Sequence, residues 1–518
     1  MEKTTSGKID ELIKRNNRLA TMGGDKMIEK QHAQGKLTAR ERIALLFDEG
    51  TFQETQIFVK HRSTLFGLGD KEINADGVVT GYGRVTGRTV FAAAQDFTSA
   101  GGSLGEMHAK KIWKVMEMAA DARKPFIALN DSGGARIQEG ITSLQGYSGI
   151  FFRNTIASGY IPQIAAIMGP TAGGAVYSPA LNDFVFMVKN KSYMYLTGPD
   201  VVKAVIAEEV SHEELGGAMA HAAKSGVCHY VAENDEECIH QVKVLLSYLP
   251  DSCHSPLPVV PCTDGADREC PELDTIMPDQ ANRSYDMKKV IAAVADNHEF
   301  FEIHEHWAKN MVVGFIRIMG RPVGIIANNP RFFAGVLDVN SADKSARFVR
   351  FCDAFNIPIL TFTDVPGFMP GTQQEWSGVI RHGAKLLHAY SEATVPLINV
   401  VTRKSYGGGY NAMCSKDVGA DYVMAWPSAE IAVMGAEGAC NIIYRREIAG
   451  AEDPRVKRAE LAAAYEEQFN NPYFAATLGI IDEIILPRET RKKVIALLEA
   501  LRDKAQTRLV KKHNNIPL

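Results

Sequence analysis

Five glycine-bearing segments have the composition and spacing to do chemistry. The first half holds Gly101-Gly102-Ser103, Asp131-Ser132-Gly133-Gly134-Ala135-Arg136 and Gly169-Pro170-Thr171-Ala172-Gly173-Gly174-Ala175. The second half holds Pro366-Gly367-Phe368-Met369-Pro370-Gly371 and Ser405-Tyr406-Gly407-Gly408-Gly409-Tyr410. Each follows an apolar strand-like run and precedes a helix-like one. Glycine there lets a ligand reach the main chain, and the N–H groups that open a helix favour negative charge. Such donors suit an oxyanion or an enolate, and each contributes roughly 3–4 kcal/mol to a transition state that carries the charge. A single glycine pair also arises from tight strand–helix packing; placement at matching points of both halves favours chemistry. Other chemistries lack their signatures: there is no GxGxxG, P-loop, G-x-S-x-G elbow or HExxH. His212, His221 and His382 read singly as structural residues. Lys36, Arg40, Arg42 and Arg136 could meet phosphates. Glu139 and Glu375 are the only loop carboxylates near the turns in sequence, which a hydratase would require.

The segments that must hold these turns repeat. Gly87-Arg88-Thr89-Val90 resembles Gly320-Arg321-Pro322-Val323, which begins 233 positions on (320 − 87). Lys124-Pro125-Phe126-Ile127 with Asn130-Asp131 matches Ile357-Pro358-Ile359-Leu360 with Thr363-Asp364 at the same spacing. Ile161-Pro162-Gln163-Ile164 matches Val395-Pro396-Leu397-Ile398, and Gly173-Gly174 matches Gly407-Gly408, one position further apart. These landmarks in one order imply a fused duplication of one α/β unit. Apolar runs at Val78-Val79, 90–94, 126–129 and 164–168 alternate with helical patterns such as His108–Ala122, the arrangement of stacked βαβ units. Residues 8–47 read as a helical arm, broken at Gly35-Lys36-Leu37 and restarted by a Thr38/Glu41 capping box. Between about Leu249 and Met277 the chain turns Pro-rich. The reading is a first domain over 1–260, a linker over 261–277 and a second domain over 278–518.

Composition narrows the class. The 518 residues are 46% hydrophobic and 23% charged, with a net charge of −4, which describes a folded chain and not a nucleic-acid binder. No apolar run is long enough for a spanning helix, and the first residues lack the apolar core of an export signal, so a cytoplasmic protein is expected. Cys253, His254, Cys262 and Cys270 form the one conceivable zinc set. Their spacing is wider than paired zinc ligands use, and reduced thiols are expected, with no metal.

Several motifs resemble a known family. Gly35–Arg42 (GKLTARER), Asp131–Gly140 (DSGGARIQEG), Gly169–Tyr177 (GPTAGGAVY), Glu214–Ala218 (ELGGA), Asp364–Pro370 (DVPGFMP), Arg403–Tyr410 (RKSYGGGY) and Trp426–Gly438 (WPSAEIAVMGAEG) are similar to carboxyltransferase subunits of biotin-dependent acyl-CoA enzymes. The likeness is nearest to propionyl-CoA carboxylase β, methylmalonyl-CoA decarboxylase α and transcarboxylase subunits. It implies two tandem crotonase-like domains behind a helical arm, assembled as a homohexamer. It implies an acyl-CoA on the N-terminal domain and biotin on the C-terminal domain of a neighbour. Gly173-Gly174, or Gly174-Ala175, would hold the thioester enolate, and Gly408-Gly409 the ureido oxygen of biotin. Lys36, Arg40 and Ser132, Gly133, Gly134, Ala135, Arg136, Ile137 would lie near CoA. Pro366, Gly367, Phe368 and Tyr410 would border biotin. In such enzymes the ureido anion left by CO2 release can take the α-proton, so no protein base is needed. Asn411 stands where relatives often carry Asp or an aliphatic residue, a position tied to acyl preference, and Gly409 where Ala is usual. There is no Met-Lys-Met attachment site, so biotin would come on a biotin carboxyl carrier protein. A biotin carboxylase, a membrane decarboxylase subunit or a second transferase subunit would complete the enzyme. A hydratase or isomerase, or a non-catalytic scaffold, is the alternative.

Overall fold

The computed structural model describes residues 4–280 and 283–518. The chain divides into two compact units between Pro256 and Leu257. The first carries β1 (Gln53–Thr55), β2 (Val78–Val85), β3 (Arg88–Gln95), β4 (Phe126–Ser132), β5 (Gln163–Ala172), β6 (Phe184–Val188), β7 (Tyr193–Tyr195) and β8 (Tyr230–Ala232). Their order is β1-β2-β3-β4-β5-β6-β8, with β7 paired to β5. The second carries β9 (Phe301–Ile303), β10 (Met311–Ile318), β11 (Arg321–Asn328), β12 (Ile359–Val365), β13 (Leu397–Tyr406), β14 (Tyr422–Ala425), β15 (Glu430–Ala432) and β16 (Glu483–Ile484). Their order is the same: β9-β10-β11-β12-β13-β14-β16, with β15 paired to β13. In both sheets the opening strands are antiparallel and the strands from β3 and β11 onward are parallel. The fold is α/β, a pair of crotonase-like units, and the repeat read from the sequence is a repeat of structure.

The central strands are buried along nearly their whole length, and their apolar runs fit that burial. Ile164 to Met168 of β5 are fully buried, as are Leu397, Ile398 and Val400 of β13. The same two-residue connection closes each hairpin. Thr86-Gly87 and Met319-Gly320 have left-handed φ at both positions (48° and 81°, 52° and 76°), the twist that a tight hairpin requires.

The arm is helical over Thr5–Ala20, Asp25–Ala33 and Ala39–Leu46. The last helix opens on the expected capping box: the Glu41 N–H donates to Thr38 Oγ1 (3.3 Å), and the Thr38 N–H to Glu41 Oε2 (2.7 Å). Thr38→Ala is expected to cost about 1 kcal/mol of stability, read as a lower urea midpoint at unchanged slope.

The Pro-rich stretch is not a free spacer. The Val260 N–H donates to the Gly320 carbonyl (3.0 Å), and Cys270 and Leu273 are buried in the core beside Met287, Val290 and Ile316. Proline punctuates the stretch, but its apolar side chains have a surface to cover on the second unit. All eight cysteines are free. Among the described residues no group of three or more His, Cys, Asp or Glu is placed to hold a metal. No helix among them is long and apolar enough to cross a membrane.

Candidate functional site

In the first unit two loops meet. One, Ser132–Arg136, leaves β4 and runs beside Leu104. The Leu104 N–H donates to the Gly134 carbonyl and the Arg136 N–H to the Leu104 carbonyl, both at 2.9 Å. Ala135, between them, faces the other way, and its N–H has no acceptor among the described residues. The other loop is the tight turn Gly173–Val176, between β5 and the helix Tyr177–Leu181. Ala172 caps this turn, so the N–H groups of Gly173 and Gly174 precede its first internal hydrogen bond. The loops nearly touch: a Cβ on Gly134 would lie 2.9 Å from the Ala172 carbonyl oxygen. The Tyr147 ring floors the site, since a Cβ on Gly174 would meet it at 3.2 Å.

The second unit repeats this construction. The Leu337 N–H donates to the Gly367 carbonyl (3.0 Å) and the Met369 N–H to the Leu337 carbonyl (2.7 Å), which leaves the Phe368 N–H without an acceptor among the described residues. Tyr406 caps the helix Gly407–Ala412, so the N–H groups of Gly407, Gly408 and Gly409 precede its first internal bond. A Cβ on Gly409 would lie 3.2 Å from Gly367 Cα, and one on Gly408 would lie 3.4 Å from the Phe368 ring. Pro366, Gly367 and Phe368 therefore stand beside Gly408 and Gly409. Tyr410 and Asn411 lie one turn further on. With Gly408, Val433, Tyr465 and Phe469 they line an apolar cavity of about 540 Å³.

Each cradle thus offers donors from two loops. The sequence had placed both donors of a cradle on one glycine turn, and the N–H groups of Ala135 and Phe368 were missed as donors. Their only signal is the glycine before each, Gly134 and Gly367, which has left-handed φ (96° and 134°).

The basic side chains near the first cradle are committed to carboxylates. Lys36 Nζ lies 3.0 Å from both oxygens of Asp131 and is almost wholly buried. Burial pulls its ammonium below the ordinary value, against the attraction of Asp131. Arg40 makes two hydrogen bonds to Glu54 (2.8 and 3.0 Å). Arg136 donates to Asp76 Oδ1 (2.5 Å), Glu139 Oε1 (2.8 Å) and the Ser103 carbonyl (2.8 Å), with only 2% of its surface exposed. These charges, expected near CoA, hold the arm and the loop in place through their carboxylate partners. Ser132 Oγ does likewise, donating to the Gly102 carbonyl (2.6 Å) and accepting from the Gly134 N–H (3.1 Å). Ile137 is 85% exposed just beyond the loop.

The carboxylates that water addition would need are not placed for it. Glu139 accepts from Arg136 and, at 2.7 Å, from the Glu106 N–H, while Glu375 sits on an exposed one-turn helix. The histidines have local partners: His212 with the Tyr195 hydroxyl (2.9 Å), His221 with the Met194 carbonyl (2.7 Å), and His382 with Asp343 (2.7 Å).

Comparison with known proteins gives one answer. The carboxyl transferase domain family matches residues 30–516. The chain is 56% identical to the methylmalonyl-CoA decarboxylase subunit alpha of Veillonella parvula, over 99% of this chain and 100% of that one. It is 55% identical to the propionyl-CoA carboxylase beta chain of Roseobacter denitrificans, over 96% of each. The solved hexameric transcarboxylase 12S, with methylmalonyl-coenzyme A and methylmalonic acid bound, superposes with a TM-score of 0.97 at 51% identity, over 99% of each chain. With paired donor cradles on duplicated crotonase-like units and this match along nearly its full length, the chain belongs to the carboxyl transferase family of biotin-dependent acyl-CoA enzymes.

Proposed function

We propose that this chain moves a carboxyl group between biotin, borne by a biotin carboxyl carrier protein, and the α-carbon of propionyl-CoA or methylmalonyl-CoA. The observation that carries this reading is the repeated cradle, with an unpartnered main-chain N–H on each of two facing loops. Carboxyl transfer generates negative oxygen on both guests, a thioester enolate on one side and a ureido oxygen on the other. One donor set per guest is what such chemistry asks of a protein.

In the first unit, the N–H groups of Gly174 and Ala135 hold the thioester oxygen as it gains charge, and the main chain of Ser132–Ile137 borders the acyl-CoA. In the second, Gly408 with Gly409 and Phe368 offer N–H groups to the ureido oxygen. The apolar cavity beside them suits the ring system of biotin. Biotin, when bound, carries the CO2 unit and supplies the base, and the cradles themselves offer main-chain N–H donors. Fixed dipoles do not reorganise as charge develops, and this is their advantage over water.

Assembly follows from the surface. The helix Ile141–Ala157 exposes Ile141, Leu144, Phe152 and Ile156 on one face, and the second unit exposes Trp376, Ile380, Ile442 and Ile443. Apolar stripes of that kind mark interfaces. A homohexamer in which copies cover them is the proposed state.

Incubation with methylmalonyl-CoA and free biotin is expected to yield carboxybiotin and propionyl-CoA. Failure to form carboxybiotin, with hydration of an enoyl-CoA instead, would overturn the reading. Asn411 lines the cavity at the second cradle, where the acyl end of a CoA bound on a neighbouring copy would meet biotin. Asn411→Ile is expected to change the ratio of kcat/KM for propionyl-CoA over acetyl-CoA by about tenfold, the scale of one methylene in a fitted pocket. An unchanged ratio would remove Asn411 from acyl selection.

A further inference from the structure

We infer that Asp131 and Asp364 are positioning residues, one for each cradle, whose buried carboxylates fix the two donor loops relative to each other. The inference rests on the proposed carboxyl transfer and adds what holds its donors in register.

The two aspartates occupy matching places in the repeat, and both are fully buried. Each stands where its strand slips against the next: the β4–β5 register shifts between Asn130 and Ser132, and the β12–β13 register between Thr363 and Val365. The slip releases the loop that carries Ala135 in one unit and Phe368 in the other. In both, the aspartate carbonyl oxygen fills the space of a Cβ on the facing glycine, at 2.2 Å for Gly102 and 2.5 Å for Gly335.

Each carboxylate then reaches the strand that leads into the second loop of its cradle. Asp131 Oδ1 lies against Gly169, where a Cβ would come within 1.9 Å, and Gly169 opens the stretch that ends in Gly173-Gly174. Its oxygens accept from Gln31 Nε2 (2.9 Å), Lys36 Nζ (3.0 Å) and Arg42 Nη1 (2.9 Å). Arg42 also donates to the Met168 carbonyl (2.9 Å), so the arm, β4 and β5 meet on one carboxylate. Asp364 uses different partners for the same task. It accepts from the Lys404 N–H (3.1 Å) and from Arg403 Nε (3.1 Å), both at the end of β13 that leads into Gly407–Gly409. Arg403 is itself held by the Arg283 carbonyl (2.9 Å) and lies over the Tyr285 ring. Each carboxylate thus ties the end of the strand that releases one donor loop to the strand that leads into the other.

The test separates placing the donors from holding the fold. The probes are CoA itself and 2-nitropropionyl-CoA, whose nitronate form is planar at the α-carbon and delocalises negative charge toward the thioester oxygen, as the enolate does. Asp131→Asn is expected to weaken the nitronate by about tenfold or more, the scale of one misplaced anion-hole donor, with CoA affinity changed less than about twofold. The charge-balanced Lys36→Met/Asp131→Asn variant, in which Arg42 keeps Asp235, decides the matter if the single variant does not fold, and the same result is expected. Asp364→Asn is expected to leave both affinities unchanged and to lower kcat for carboxylation of free biotin by about tenfold or more. Equal losses for CoA and the nitronate, or full nitronate affinity in the folded double variant, would overturn the assignment. Carboxybiotin formation by the unaltered chain tests carboxyl transfer itself, so the two failures are distinguishable.

Discussion

Valine at Gly174 or at Gly408 is expected to reduce carboxyl transfer by at least about a thousandfold while leaving the assembled protein intact, since one lost anion-hole donor alone accounts for about 10²–10³ in kcat. Neither glycine has a left-handed φ, so an L side chain imposes no main-chain strain at either position. A Cβ meets only ring atoms, Tyr147 at 3.2 Å and Phe368 at 3.4 Å, both of which can yield slightly. The γ-methyls of valine then take the space of the guest's oxygen. The neighbours behave differently. Gly173 and Gly407 have φ of 62° and 54°, and substitution there would strain the turn as well as block it. The assay is carboxybiotin formation, with size-exclusion chromatography and the thermal midpoint as controls. Near-normal turnover in either variant would remove that turn from the chemistry.

Arg42→Met is expected to destabilise the first unit by about 3–5 kcal/mol, the usual result of stranding buried charge. Arg42 is 1% exposed and bridges Asp131 (2.9 Å) and Asp235 (2.8 Å). Without it, Asp235 loses its guanidinium partner and, among the described residues, keeps the Leu37 N–H (3.1 Å). Asp131 still has Lys36 and Gln31, so the larger part of the loss comes from Asp235. Urea unfolding of the variant measures this. The exposed pair Arg15–Glu11 is the control, and Arg15→Met should change the midpoint little. A midpoint unaltered in Arg42→Met would mean that water reaches the site and that the arm is not tied by charge.

The sequence exposed the parts of this design that rest on local pattern. The capping box at Thr38 and Glu41 and the buried runs of β4 and β5 depend on residues a few positions apart, and the repeat shows because short local motifs, such as those at Gly87 and Gly320, recur at one spacing. What it hid depends on groups far apart in the chain. Lys36 read as a basic residue that could meet phosphates; the carboxylate it pairs with, Asp131 on β4, stands 95 positions away in the chain. Arg136 read the same way; Asp76, 60 positions before it, holds it inside together with the neighbouring Glu139. The donors at Ala135 and Phe368 were illegible for another reason. Any residue type supplies a main-chain N–H, and whether it is free depends on Leu104 and Leu337 taking the bonds on either side. The Pro-rich stretch misled because proline marks irregular backbone, which can pack as well as hang free; Cys270 and Leu273 pack.

A crystal structure of the chain with propionyl-CoA bound is the most direct test of the paired cradles. The thioester oxygen is expected about 3 Å from the N–H nitrogens of both Ala135 and Gly174, the ordinary hydrogen-bond distance. A thioester oxygen that contacts side chains or solvent, with those two amides turned away from it, would contradict the account.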